Sequence, residues 1–214
     1  MKGSEYMASS MIHIVVANEV NKKINRDKSK LFIGTIAPDI SKLVGESKIK
    51  SHFQDTDDNI PNLEKLLEKY KNNLNDDFVL GYYIHLVTDY LWFKYFMTEI
   101  EDNSMITKLD GTVVKCNGNM FSLYVYNDYT NINTKLIDEY NLDLKIFYND
   151  IPQLDNIIEE IPMDKINLII DKAREIIENS KKNKDFLFDI DNIKKFVNTS
   201  VDIILGKIKE LGIS

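Results

Sequence analysis

The stretch Gly81-Tyr82-Tyr83-Ile84-His85-Leu86-Val87-Thr88-Asp89-Tyr90-Leu91-Trp92 decides the fold class and points to a chemistry. It is apolar with helical periodicity, lies behind two residues that can cap a helix (Asp76 and Asp77), and predicts a helix over residues 78–100. At about 3.6 residues per turn, His85 and Asp89 fall on one face, one turn apart. Nitrogen and oxygen donors converging in this way suit a divalent transition metal such as zinc, iron or manganese. Gly81 precedes His85 by one turn on the same face, where its missing side chain is expected to leave room above a ligand.

The same periodicity extends in both directions. A first helix is predicted over residues 10–24, with Ser10 as its cap and Ile12, Val15, Val16, Ala17, Val20 and Ile24 as its apolar face. Residues 31–40 form a short helical or turn segment that breaks at Pro38. A helix over 60–73 places Pro61 in its first turn. Further helices are predicted over 119–140, 163–180 and 190–211, the first with Leu123, Val125, Ile132 and Leu136 among its apolar positions and the last stopped by Gly212. Residues 101–118 read as irregular, with room for one hairpin between 107 and 117 around Asp110-Gly111. The expected architecture is all-α: a flexible segment over 1–10 followed by a single multi-helix bundle domain over 11–214.

Composition narrows the function. Thirty-four acidic against 27 basic residues give a net charge of −7, which argues against a nucleic-acid binder that works by backbone neutralisation. The densest basic run, Lys181, Lys182 and Lys184, reads as a solvated connection between helices. The single cysteine, Cys116, excludes an intrachain disulfide, and no activating base lies near it in sequence. The polar N-terminal stretch lacks the apolar region of a secretory signal, and no run of apolar residues is long enough to span a bilayer. A cytoplasmic protein without integral membrane association is expected.

Four further features join His85 and Asp89. His13 lies in the first turn of the first helix. Asp39 follows the small-residue turn Gly34-Thr35-Ile36-Ala37-Pro38. His52 sits in Ser51-His52-Phe53, and Asp128 in Tyr126-Asn127-Asp128-Tyr129. Singly, each has an ordinary structural reading: a packed histidine, a turn carboxylate, a loop histidine, an intrahelical hydrogen bond between His85 and Asp89. In this order, over residues 9–95, the set resembles the zinc-dependent phospholipase C family, and its short bacterial members most. The resemblance implies a helical bundle with a metal-lined cleft. Asp39, His52, His85 and Asp89 resemble the four ligands of one metal, and His13 with a bridging Asp89 resembles part of a second site. The chain also departs from the pattern. A polar stretch precedes His13 in place of the mature N-terminal tryptophan, and no histidine follows His85 to hold a third metal. One or two ions are therefore expected, zinc or another divalent transition metal such as manganese or iron.

The chemistry so implied is metal-assisted hydrolysis of a small phosphoester, with Asp39 or Asp89 binding metal or accepting a proton. Asp128 is expected first to orient a metal-bound imidazole, with a missing metal ligand or a base as the alternatives. Two other readings compete. A helical histidine-aspartate nucleotide phosphohydrolase would also gather His and Asp on helices, but such proteins present adjacent His-Asp residues and this chain has no such dipeptide. A non-catalytic helical binding protein would hold a structural metal in a closed shell.

Overall fold

The structure, a computed structural model, describes residues 8–55, 60–99, 101–102, 105–115, 118–181 and 187–213. Residues 1–7, Cys116, Lys182 and Lys184 lie outside the described residues. The domain is all-α: helices α1 (Ser10–Ile24), α2 (Lys28–Ile36), α3 (Ile40–Leu43), α4 (Lys48–Ser51), α5 (Leu63–Tyr70), α6 (Asp77–Leu91), α7 (Gly118–Glu139), α8 (Ile166–Glu178) and α9 (Ile190–Glu210). A small antiparallel sheet of strands β1 (Glu101–Asp102), β2 (Met105–Thr107) and β3 (Val113–Lys115) is its only β structure among the described residues. β2 and β3 form the hairpin expected around Asp110-Gly111, with Gly111 at φ 80°; β1 adds a strand the sequence did not announce. No helix among the described residues is long and apolar enough to cross a membrane.

Local chemistry sets the helix ends. Ser9, one residue earlier than expected, caps α1 by accepting a hydrogen bond from the Ile12 N–H. Asp27 caps α2 and Asp76 caps α6, each carboxylate accepting from two backbone N–H groups. α5 starts after Pro61 rather than before it, because Asn62 accepts from the Lys65 N–H and fixes the first turn there. The long helix expected over 78–100 is α-helical only to Leu91. It continues as a π-helical turn over Trp92–Phe96, which stacks Trp92 on Phe96 with ring centroids 4.3 Å apart. Phe188 and Phe196 close around both rings. In α7 the buried stripe runs through Val125, Tyr129, Ile132 and Leu136; Leu123 is two residues out of phase with it and is exposed. Gly212, at φ 68°, ends the chain's last helix as expected.

α1 and α6 are buried on nearly every side at the middle of the bundle, and the core extends from Ala8 to Ile208. α2 lies directly against α6, backbone to backbone. A Cβ on Gly81 would stand 2.1 Å from the Leu31 carbonyl oxygen, and one on Gly34 would stand 2.1 Å from that of Phe78. Gly81 therefore makes space for a neighbouring helix and not for a ligand, which corrects its expected role. Gly81→Ala forces the two helices apart. Overpacking of this kind costs about 1–3 kcal/mol or more. For a chain of this size that corresponds to a fall in Tm of roughly 2–4 °C per kcal/mol. A calorimetric scan of the Gly81→Ala protein that overlays the unmodified one would contradict the close packing.

Candidate metal centre

Two helices and the two segments that follow α2 and α4 bring the expected donors together. His13 comes from the first turn of α1, and His85 and Asp89 from successive turns of α6. Asp39 ends the 3₁₀ turn Ala37–Asp39, where Pro38 breaks α2. His52 is the residue after α4, a helix capped by Ser47 and followed by Phe53 in a left-handed conformation at φ 53°. Two sets of three donors, His13/Asp39/His85 and His52/His85/Asp89, have ligand atoms within 4.8 Å of one another. The three imidazoles and Asp89 are fully buried. The Asp39 side chain keeps 20% of its surface exposed, so it is the donor that faces outward.

The hydrogen bonds fix which imidazole nitrogens are available. His85 Nδ1 lies 2.7 Å from the Thr35 carbonyl oxygen. A carbonyl only accepts, so Nδ1 carries a proton and Nε2 is the nitrogen that faces the centre. His52 Nδ1 lies 2.9 Å from Ser51 Oγ, which leaves its Nε2 turned to the centre. These orienting contacts are the kind that metal-bound histidines use.

Around that geometry the polar groups are under-satisfied. Asp89 Oδ1 stands 3.2 Å from His13 Nε2, and Oδ2 stands 3.2 Å from His85 Nε2 and 3.6 Å from His52 Nε2. None of these contacts is aligned as a hydrogen bond, and among the described residues both Asp89 oxygens and both His13 nitrogens lack a hydrogen-bond partner while fully buried. An unpaired buried carboxylate is costly. A cation among these atoms removes that cost. The donor set, imidazole nitrogens with carboxylate oxygens, fits a borderline transition metal. This buried His/Asp cluster can hold a metal ion.

The protonation states agree. Burial pushes the His13 imidazolium down, with His85 beside it. Burial, Lys48 and His85 push His52 well below the ordinary imidazole range. Burial works against ionisation of Asp89, but His13 and His85 hold it well below the usual carboxylate range. Burial likewise opposes ionisation of Asp39, and Lys48, His85 and His52 overcome it. Neutral imidazoles beside ionised carboxylates are the forms that bind metal.

Asp128 stands elsewhere. It is buried on α7, and its Oδ2 accepts hydrogen bonds from the backbone N–H groups of Leu187 and Phe188. The imidazole-orienting role expected of it is held by Thr35 and Ser51. Thr35 lies one turn before Asp39 and Ser51 directly before His52, but nothing in their spacing marks them. Lys48 was also missed, although it lies four residues before His52. It is buried and its ammonium is paired with Asp39 Oδ1. Asp39 and Lys48 form part of the wall of a cleft of about 450 Å³, with Lys42, Tyr126, Tyr129 and Lys172. Burial, Tyr126 and the Asp89 and Asp39 carboxylates raise the Tyr129 phenol well above its usual value, so it is a hydrogen-bond donor at neutral pH. Comparison of the chain with family models, with curated proteins and with solved structures finds no match.

The shifts set a pH dependence for the metal-stripped protein. His13 and His52 bind protons more weakly folded than unfolded, so stability is complete above the unfolded value near 6.5 and falls as pH drops through that value. Asp39 and Asp89 are also lowered on folding and add a loss of the same sign below the unfolded value near 3.8. In chelator-treated protein, Tm should fall steadily from pH 7.5 to 5; a Tm that rises over that window would contradict neutral buried imidazoles. Ser51→Ala should leave the fold intact and weaken zinc binding by about 10–100-fold, measured by competition with a fluorescent chelator.

Proposed function

We propose that the chain is a metal-dependent phosphoester hydrolase resembling the zinc-dependent phospholipase C family, with a reduced centre of one or two divalent ions. The observation that carries this reading is the position of Asp39: a donor of the buried cluster that also lines an open cleft of about 450 Å³. A divalent ion bound at such a centre lowers the pKa of water toward neutrality and polarises a phosphoryl oxygen.

The chain's own residues supply the rest. Lys42, Lys48 and Lys172 present ammonium groups to the cleft and suit an anionic ester. Lys172 pairs with Glu175 at 2.8 Å and Lys48 pairs with Asp39, while Lys42 lies 3.5 Å from the Tyr126 hydroxyl. The Tyr129 hydroxyl, kept protonated, can donate to a phosphoryl or leaving-group oxygen. Thr35 and Ser51 hold His85 and His52 in fixed orientations and cost no reorganisation when substrate enters. The full burial of His13, His52, His85 and Asp89 favours a second reading, a structural metal in a non-catalytic protein. The cleft at Asp39 favours the enzyme.

Metal-loaded protein should hydrolyse a chromogenic phosphodiester, and a chelator should abolish the activity. His85→Ala should lose both the metal and at least about 100-fold of the rate, since a metal ligand is removed rather than a residue that orients one. Fully metallated protein that is inert on phosphomonoesters, phosphodiesters and phospholipids would overturn the enzymatic reading in favour of the structural one.

A further inference from the structure

We infer that Lys48 is a tethered cation that takes the place of a second metal ion, so that the centre binds one divalent ion and completes its positive charge with the Lys48 ammonium. This inference rests on the metal-dependent reading above. The Asp89 carboxylate divides the donors into two halves. Oδ2 faces His85 Nε2 and His52 Nε2, and Oδ1 faces His13 Nε2. The first half is a complete three-donor set.

The second half is short of donors. Both triads draw on His85, and with its Nδ1 bonded to the Thr35 carbonyl only Nε2 can ligate. One lone pair serves one ion. For a second ion, His13 and Asp89 Oδ1 would need the Asp39 carboxylate as their third donor. Asp39 Oδ1 is already paired with the Lys48 ammonium, which is 5% exposed and held on α4 next to the metal half of the site.

Charge leads to the same conclusion. Two carboxylates, one ammonium and one divalent ion leave a surplus of a single positive charge, suited to a phosphate ester. A second divalent ion would raise that surplus to three in a site whose donors are nearly all buried, at high desolvation cost. Lys48 also lines the cleft, so its ammonium stands where an anionic ester would meet it. In two-metal hydrolases the second ion clamps the other oxygen of the displacement, and a lysine at that position supplies charge without coordination.

The test is metal stoichiometry. Protein stripped by a chelator and desalted is dialysed against zinc and analysed for bound metal. The unmodified chain should hold one zinc, Lys48→Met should hold two and Lys48→Arg one, with circular dichroism confirming the fold of each. Two ions in the unmodified chain, or one in a folded Lys48→Met protein, would overturn the inference while leaving the metal-dependent reading in place. No bound zinc in the unmodified chain would remove that reading and this inference together. Should Lys48→Met not fold, manganese-loaded unmodified protein decides. An uncoupled single-ion electron paramagnetic resonance spectrum supports the inference, and an exchange-coupled pair, expected for ions about 3.5–4 Å apart, overturns it.

Discussion

The close packing of α2 on α6, with Gly34 against the Phe78 carbonyl and Gly81 against the Leu31 carbonyl, is the constraint on which the centre depends. With side chains larger than hydrogen at these two positions, the helix backbones could not approach so closely. Thr35 follows Gly34, and its carbonyl belongs to the last turn of α2, where helices leave carbonyls without intrahelical partners. His85 lies one turn beyond Gly81, and the close approach puts its Nδ1 2.7 Å from that carbonyl. Packing of two helices thus orients an imidazole in the middle of the protein. It leaves Nε2 facing Asp89 and His52. The Thr35 hydroxyl reinforces the contact, donating to the Leu31 carbonyl of its own helix and lying 3.3 Å from that of Gly81.

Burial then turns this arrangement into a demand for charge. A carboxylate as deep as Asp89 is tolerated only with compensation, and the imidazoles around it cannot all be protonated together. His13 and His85 stack face to face with centroids 3.9 Å apart, which penalises charging both. A divalent cation satisfies all of these groups at once, whereas protonation can satisfy only some. Lys48 contributes at the edge, where Asp39 meets the cleft, and links the dry interior to a surface that can receive an anion.

The sequence carried the helices and the ordered donors well because both depend on local spacing. Apolar stripes mark α1, α6 and α9, and α9 starts at Ile190 as expected, whereas the helix expected over 78–100 is α-helical only to Leu91, where the aromatic packing of Trp92 and Phe96 takes over. His13, Asp39, His52, His85 and Asp89 stood out through their motifs, and the fold brings their donor atoms together. Roles that depend on a distant partner were not legible. Gly81 looks like space for a ligand until α2 is known to lie against it. Asp128 looks like a site carboxylate until the backbone at Leu187 and Phe188 is seen to occupy it. Lys48 reads as one more surface lysine until the turn of α4 buries it beside Asp39. Leu123 reads as core until the phase of α7 is set by Val125, Tyr129 and Ile132.

The most direct measurement of the central claim, that these buried imidazoles and carboxylates hold a divalent metal, is X-ray absorption spectroscopy of zinc-loaded protein after desalting. The expected spectrum has a shell of light nitrogen and oxygen ligands at about 2.0–2.2 Å with the outer scattering of at least two imidazoles. Zinc that washes away on desalting, or retained zinc without imidazole scattering, would contradict a centre built on His52, His85 and Asp89.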